Sequence, residues 1–374
     1  MARILILGTG NAQYDVLKRA QELGFEVYAC STPRPSHDLP FWTGYREINI
    51  TDAAAVGAYA REIGADFIYS VGSDVAMPTV TQVSEELNLP HFISSETARL
   101  CNNKQLLRQH LGHDFPGNLP FCILRDAADL ANVDFFPVIV KPVDSQGQRG
   151  ISQCRKAEEL SAAYHKALEH SRSKVVIAEK LLEEAFEISV NAYLYNGELL
   201  VFEPSDRISY SEFPGGIIKE HYLPSQRLTR EQEEKVYSLV TRSLHKLSIL
   251  NGPAYFQIMI EGDEPYLIEV TPRLDGCHMW HALYCHKGLD LLTASLEHLK
   301  SGKKPDFTKA EARNHHVCLH FPCQPPETPL NKARHQLPAD LLHLHWYYEE
   351  GEPLRRMNGY MEKGGYWICA YRED

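Results

Sequence analysis

The sequence predicts a multidomain protein of mixed α/β and α+β class, and three observations support this. Residues 1–95 alternate short apolar runs with helical patterns, which is typical of a parallel sheet covered on both faces. Residues 121–300 mix helices with strands that return through tight turns such as Asn196-Gly197, which indicates antiparallel pairing. A length of 374 residues accommodates two or three domains with sizeable cores.

The elements of the first region follow one another regularly. We expect strands at RILILG, EVYAC and DFIYSVG, a further apolar run at PHFIS, and helices over residues 14–23, 53–63 and 78–87. Gly8-Thr9-Gly10 after the first strand resembles the start of a dinucleotide fingerprint. The third glycine is missing, because Gln13 stands in its place, so a tight turn is favoured over NAD binding.

Composition excludes several classes of protein. The net charge is −11 and no basic run occurs, so nucleic-acid binding has little electrostatic support. Nine cysteines without a CxxC pair indicate reduced thiols in a cytoplasmic protein. The N-terminus is typical of a first strand and not of a signal peptide, and no apolar run approaches a membrane span.

Two segments about 120 residues apart carry the chemistry. FPVIVKPVDSQGQRGI places Lys141 on an apolar strand before a glycine loop, and such a loop can close its N–H groups over a phosphate. YFQIMIEGDEPYLIEVTPRLDG predicts a hairpin with a turn at Gly262-Asp263, in which Gln257 and Glu269 face each other. Their oxygens suit Mg²⁺, which shares its ligands with substrate phosphates. Together the two segments predict a nucleotide site.

In this order the segments resemble the ATP-grasp enzymes of the carboxylate–amine ligase kind, near carbamoyl-phosphate synthetase halves, D-alanine–D-alanine ligase and the L-amino acid ligases. The resemblance implies ATP and Mg²⁺, with Mn²⁺ as a substitute, and an ATP-grasp fold. It divides the chain into a Rossmann-like pre-ATP-grasp α/β domain (1–95), a helical linker (96–120), a small lid subdomain (121–186), a large subdomain with the Mg²⁺ site (187–300) and a small β-rich cap (301–374).

The resemblance also implies roles for single residues. The ATP contacts would be Lys104, Lys141, Ser145, Gln146, Gly147, Gly150, Glu179, Lys180, Leu182 and Glu187, with Glu179 on adenine and Glu187 on ribose. The metal ligands would be Gln257, Glu269 and Thr271, and the catalytic residues Arg273 and Lys141. Two positions depart from the family: Gln257 stands where many members have a carboxylate, and Thr271 where nearly all have Asn.

The substrate side is less sharply marked. Candidate contacts are Ser73, Asp74, Arg207, His221 and His278. His278 and His281, in GCHMWH, either touch substrate or pack against the preceding loop. The His/Cys run at residues 315–320 suggests zinc, but collinear strand positions do not wrap a tetrahedral ion, and a polar strand face is favoured.

The function that the resemblance implies is an ADP-forming ligase that joins a small-molecule carboxylate to an amine through an acyl phosphate. Activation of bicarbonate or carbamate is the alternative among enzymes. Nucleotide binding without turnover is the alternative from another class, raised by Thr271, and a dehydrogenase is the weakest. We expect small-molecule substrates and neither a nucleic-acid nor a membrane partner, and a homodimer is left open.

Overall fold

The computed structural model describes residues 1–34, 40–144, 150–213, 216–308, 315–356 and 360–371. The strands of these residues form four sheets: one of four parallel strands, one of four antiparallel strands, one of eight antiparallel strands and one of two. No helix in these ranges is long and apolar enough to cross a bilayer.

The first region forms a parallel sheet with helices, as predicted. Its strands, in the order β3-β2-β1-β4, are β1 (Arg3–Leu7), β2 (Glu26–Ser31), β3 (Gly44–Glu47) and β4 (Phe67–Tyr69). Its helices are α1 (Asn11–Glu22), α2 (Ala53–Ile63) and α3 (Met77–Glu86). The apolar run PHFIS (residues 90–94), which continues the expected alternation of strands and helices, lies outside any strand. The sheet instead takes in β3, whose sequence GYRE lacks an apolar run because this edge strand is not fully buried.

Two short helices lead to a second sheet. The helices are α4 (Ser95–Asn102) and α5 (Lys104–Leu111). The sheet has the order β5-β8-β6-β7, and its elements are β5 (Phe121–Leu124), β6 (Val138–Pro142), β7 (Ser152–Cys154), α6 (Leu160–Glu169) and β8 (Val176–Lys180). The apolar faces of β6, β8 and α6 form a separate buried cluster. This unit therefore has a core of its own.

The eight-stranded sheet forms the largest unit, in the order β13-β12-β9-β10-β11-β14-β18-β16. Its first five strands are β9 (Ala185–Tyr195), β10 (Glu198–Ser209), β11 (Ile218–Leu223), β12 (Gly252–Glu261) and β13 (Glu264–Thr271). The helices that accompany them are α7 (Arg230–Lys246), α8 (Met279–Lys287) and α9 (Leu291–Ser301). The hairpin predicted at Asn196-Gly197 is confirmed by the pairing of β9 with β10.

The C-terminal region continues this sheet. Its strands are β14 (Val317–His320), β15 (Cys323–Gln324), β16 (Leu341–Trp346), β17 (Glu362–Lys363) and β18 (Gly365–Ala370). Of these, β14, β18 and β16 extend the large sheet beyond β11, whereas β15 and β17 pair with each other. The described part of residues 301–374 is β-rich, and the predicted domain boundary at 301 stays a prediction. One buried cluster joins residues of β1, α8, α9, β14 and β18 and ties the first region to the large sheet.

Candidate active site

The hairpin of β12 and β13 places the two proposed metal ligands side by side, as predicted. Gln257 is the register partner of Glu269, and Tyr255 is the partner of Thr271. Residues two apart on a strand share a face, so Gln257, Glu269 and Thr271 lie on one face of the hairpin. The strands end at Glu261 and begin again at Glu264, which confirms the turn at Gly262-Asp263.

The Glu269 carboxyl is surrounded by charge. Burial and the neighbouring Asp74 carboxylate raise its pKa, and together they outweigh three cations that lower it, Lys104, Arg273 and Lys141. A carboxylate whose charge is disfavoured in this way gains from a bound cation. The grouping of one such acid with three cations suits a triphosphate together with a divalent metal ion.

The other two proposed ligands also offer oxygens. The Gln257 amide nitrogen donates to Glu187 Oε1, which also pairs with Arg207. Because the nitrogen is used in this way, the amide oxygen is turned away from Glu187, and oxygen is the atom that Mg²⁺ takes. The Thr271 hydroxyl is buried and has no hydrogen-bond partner among the described residues. The donor set of Glu269, Gln257 and Thr271 therefore fits Mg²⁺.

A buried ion triad of Arg108, Glu179 and Lys141 lies beside this hairpin. Arg108 Nε donates to Glu179 Oε1 at 2.7 Å, and Lys141 Nζ pairs with the second oxygen. Arg108 and Glu179 are each 1% exposed. Burial alone would raise the pKa of Glu179. The two cations outweigh burial and lower this pKa to about 2. For Lys141, burial with repulsion from Lys104 and Arg108 lowers the pKa below its usual value despite Glu179.

One predicted nucleotide contact lies in the triad. Glu179 is expected on adenine, and here each of its carboxylate oxygens pairs with a cation. Its adenine contact and the phosphate contact of Lys141 stay predictions. Arg108 also connects the triad to the hairpin of β12 and β13, which carries the proposed metal ligands. It donates to the Ile268 carbonyl at 3.3 Å, next to Glu269.

The remaining predicted nucleotide contacts have different outcomes. Ser145, Gln146 and Gly147 lie outside the described residues. Gly150 has φ +72°, a conformation that favours glycine. Lys180 donates to Glu261 at 2.8 Å and Leu182 is buried. Glu187, expected on ribose, is held by Arg207 and Gln257, and its proposed ribose contact stays a prediction.

The first region reaches the site through the loop after β4. Arg273 Nε donates to Asp74 Oδ1 at 2.7 Å. Burial opposes the charge of Arg273, yet Asp74, Asp275 and Glu269 raise its pKa above the usual value. Gly72, with φ +62°, lies so close that a Cβ there would be 2.7 Å from the Gly276 Cα. The close contact between Gly72 and Gly276 requires glycine at position 72. It brings Ser73 and Asp74 next to the segment that follows β13, and their substrate role stays a prediction.

A second polar group adjoins Arg273. Arg207 and His221 are register partners on β10 and β11. Burial, Arg207 and Lys363 lower the pKa of His221 well below its usual value, more than the Asp206 backbone offsets, so the ring is neutral. Asp275 and Cys277 lie against it. Sequence reasoning missed Asp275, Cys277 and Lys363. The spacing of Arg273, Asp275 and Cys277 by two residues, directly after β13, could have indicated that these polar side chains lie together.

For His278 the sequence leaves substrate contact and packing open, and its hydrogen bonds favour packing. Its Nδ1 lies 2.8 Å from Asp15 Oδ2 and its Nε2 lies 2.8 Å from the Tyr347 hydroxyl, so both nitrogens are occupied. The side chain is 1% exposed. The neighbouring His281 bonds the Tyr366 hydroxyl at 2.5 Å. Both imidazoles therefore serve packing between α1, α8 and the C-terminal strands.

The zinc reading of residues 315–320 gains no support. Within the described ranges, these residues contribute no ligand atom to a cluster that could hold a metal ion. His320 instead pairs with Glu220 at 2.9 Å. The polar-strand interpretation accounts for this segment.

The chain is similar to known proteins in sequence and in fold. Residues 134–280 match the family model described as an ATP-grasp domain. The chain is 24% identical over 287 residues to a formate-dependent phosphoribosylglycinamide formyltransferase of Corynebacterium glutamicum (strain R), covering 72% of this chain and 68% of that protein. The structure is similar to an L-amino acid ligase from Bacillus licheniformis, with TM-score 0.81, 18% identity and coverage of 100% and 94% of the two chains. It is also similar to phosphoribosylglycinamide synthetase from Anaerococcus prevotii, with TM-score 0.78, 18% identity and coverage of 98% and 93%.

The triad makes a testable prediction about stability. Glu179→Gln leaves Arg108 and Lys141 buried without their counter-charge, which typically costs about 3–5 kcal/mol of unfolding free energy. The measurement is urea denaturation followed by circular dichroism. Glu183→Gln is the control: its side chain is 40% exposed and pairs with Arg155, so we expect a loss below about 1 kcal/mol. Equal stability of the two variants would contradict the role of the triad.

A second prediction concerns pH. Burial, partly offset by Asp15, lowers the pKa of His281 to about 4, whereas the unfolded chain has the ordinary value of 6.5. As the pH falls below about 6.5, the unfolded chain binds a proton that the folded chain does not. The unfolding free energy should therefore fall by roughly 3 kcal/mol between pH 6.5 and pH 4 through this group. His281→Gln should flatten the profile by that amount in denaturation curves, and an unchanged slope would disprove the assignment.

Proposed function

We propose that this chain, which carries an ATP-grasp domain, is an ADP-forming ligase that activates a small-molecule carboxylate as an acyl phosphate and couples it to an amine. The observation that supports this most is the grouping of Lys104, Lys141 and Arg273 around Glu269. An acid that suits a metal ion, surrounded by three cations, matches the charge of a nucleotide triphosphate. ATP and Mg²⁺ are the cofactors of the proposal, with Mn²⁺ as a substitute.

The phosphoryl step depends on position and charge more than on covalent chemistry by side chains. Glu269, Gln257 and Thr271 would hold Mg²⁺, which when bound neutralises phosphate charge. Lys141, oriented by Glu179, and Lys104 bind the phosphates. A substrate carboxylate oxygen forms a bond to the γ-phosphorus, and the bond from that phosphorus to the ADP oxygen breaks.

Arg273 is suited to the transferring group. Its guanidinium is 7% exposed and is held by Asp74 and by the Leu274 carbonyl. A guanidinium fork can grip a phosphoryl group through two parallel hydrogen bonds, which an ammonium cannot reproduce. Arg273 therefore stabilises the charge that develops on the phosphoryl oxygens. In the second step the amine attacks the acyl carbon, and phosphate leaves with the bond electrons.

The substrate classes follow from the relatives and from the site. The similar formyltransferase acts, by its name, on formate and phosphoribosylglycinamide. For this chain we propose a small carboxylate and a small amine, contacted by Ser73, Asp74, Arg207 and His221. Asp74 pairs with Arg273, and Arg207 and His221 are register partners on β10 and β11, which supports an acceptor region next to Arg273.

Two positions favour second candidates. Gln257 in place of a carboxylate resembles the carbamoyl-phosphate synthetases, so bicarbonate or carbamate is the alternative acid. Thr271 in place of Asn offers a weaker, neutral metal ligand, which favours nucleotide binding without turnover. A panel of carboxylates that includes bicarbonate, each offered with a panel of amines, separates these cases through the release of ADP and phosphate. Release of AMP and pyrophosphate would contradict all of them.

The site makes a prediction for the same assay. Glu269→Gln removes the carboxylate of the proposed metal site, so carboxylate-dependent phosphate release should fall by at least about 10²-fold even at high Mg²⁺. Glu264→Gln on the same hairpin is the matched control, because its side chain is 64% exposed and pairs with Lys235 at the surface. Retention of most activity by Glu269→Gln would place the metal elsewhere.

A further inference from the structure

Three side chains with different ligand atoms meet beside the proposed acceptor region. His221 lies on β11, and Asp275 and Cys277 lie on the segment between β13 and α8. Their imidazole nitrogen, carboxylate oxygen and sulfur all lie within 4.8 Å of one another. All three side chains are buried, with exposures of 1%, 5% and 8%. None of them belongs to the donor set proposed for Mg²⁺.

The hydrogen bonding of these three side chains is incomplete. Among the described residues Asp275 Oδ2 has no hydrogen-bond partner, and neither ring nitrogen of His221 makes a hydrogen bond of good geometry, although the ring lies near the Asp206 backbone. The other carboxylate oxygen accepts from the Cys277 backbone N–H at 3.1 Å. A buried polar atom without a partner costs about 1–3 kcal/mol, so such atoms are rare in native structures. One imidazole nitrogen of His221 lies within 4.8 Å of a carboxylate oxygen of Asp275 and of Cys277 Sγ, and the unpartnered atoms of this group indicate a ligand.

We infer that His221, Asp275 and Cys277 bind a thiophilic divalent transition metal of the Zn²⁺ class, at a site separate from the Mg²⁺ ligands. Nitrogen, sulfur and oxygen donors together suit Zn²⁺, whereas Mg²⁺ takes oxygen alone. Tetrahedral zinc with bonds of about 2.0–2.3 Å places its ligand atoms roughly 3.6 Å apart. The ligand atoms here lie at most 4.8 Å apart, so each pair has to approach by no more than about 1 Å to reach the distance that zinc requires.

The charges around the site indicate which further ligand a bound metal ion would take. Lys363 Nζ lies 3.9 Å from Cys277 Sγ, but burial and Asp275 outweigh it and raise the pKa of the thiol, so metal binding itself has to displace the thiol proton. Thiolate and carboxylate together cancel a dication. Arg207 is paired with Glu187, and Arg273 with Asp74, so Lys363 adds one positive charge at the cluster. An anion at the fourth metal position would restore neutrality.

That fourth position gives the site a use. Three protein ligands leave one position of a tetrahedral ion open to water or substrate, as in catalytic zinc sites. Because the cluster adjoins Arg273, we assign the position to the substrate carboxylate, and this assignment alone rests on the proposed function. The metal site itself does not depend on it.

The test is metal binding by the whole chain without substrates. After dialysis against excess Mg²⁺ and a low concentration of Zn²⁺, elemental analysis should find one Zn²⁺ per chain. Replacement by Co²⁺ should produce the near-ultraviolet absorption of a cobalt–thiolate bond. Cys277→Ser and His221→Ala should lose the band and at least tenfold in affinity, with circular dichroism confirming that each variant is folded.

Two controls locate the site. Cys154→Ser removes a thiol that is also buried but lies on β7 in the second sheet, so it should retain the metal and the band. Glu269→Gln should also retain both, because the Mg²⁺ ligands are separate. The inference is overturned if the unaltered chain binds no Zn²⁺ or Co²⁺ at micromolar concentration, or if Cys277→Ser keeps the cobalt–thiolate band. A chain that binds the metal but releases no phosphate with any carboxylate would refute the ligase proposal and leave the metal site intact.

Discussion

A single buried carboxylate, shared by two cations, links three elements of the proposed nucleotide site. Glu179 on β8 holds Lys141 on β6 and Arg108 on α5, and all three side chains are nearly inaccessible to solvent. Removing one partner of such a group leaves a charge that water cannot reach, which typically costs 3–5 kcal/mol. The geometry is therefore strongly fixed. Arg108 also donates to Asn118 and to the Ile268 carbonyl, so it ties the linker and the second sheet to the metal hairpin.

The catalytic geometry follows from that junction. The triad holds Lys141 close to Glu269. The three cations that act on Glu269, which are Lys104, Lys141 and Arg273, come from three different parts of the chain. The loop of Gly72 and Asp74 closes the group from the first sheet by holding Arg273. The second sheet has a core of its own. Its residues Lys141 and Glu179 form the triad with Arg108 on α5, so the ion triad is one of the links between this sheet and the hairpin of β12 and β13.

Local features of the sequence predicted much of this arrangement. The turn at Gly262-Asp263 and the pairing of Gln257 with Glu269 follow from turn chemistry and strand alternation, which act over a few residues. The strand β3 and the partners of His278 were not accessible in this way. Asp15 and His278 are 263 residues apart, and only the packed fold brings them together. The cluster of His221, Asp275 and Cys277 likewise joins separate elements, and the joining of β14 to β11 depends on register that no local pattern encodes.

The proposed route through an acyl phosphate is tested most directly by the fate of an oxygen atom. A substrate carboxylate labelled with ¹⁸O is supplied with ATP, Mg²⁺ and the amine that support turnover, and the released phosphate is examined by mass spectrometry. In the proposed mechanism a carboxylate oxygen bonds to the γ-phosphorus and stays with it when the amine displaces phosphate. The account therefore predicts one labelled oxygen in each phosphate formed. Phosphate without the label, formed at the same rate as product, would contradict it.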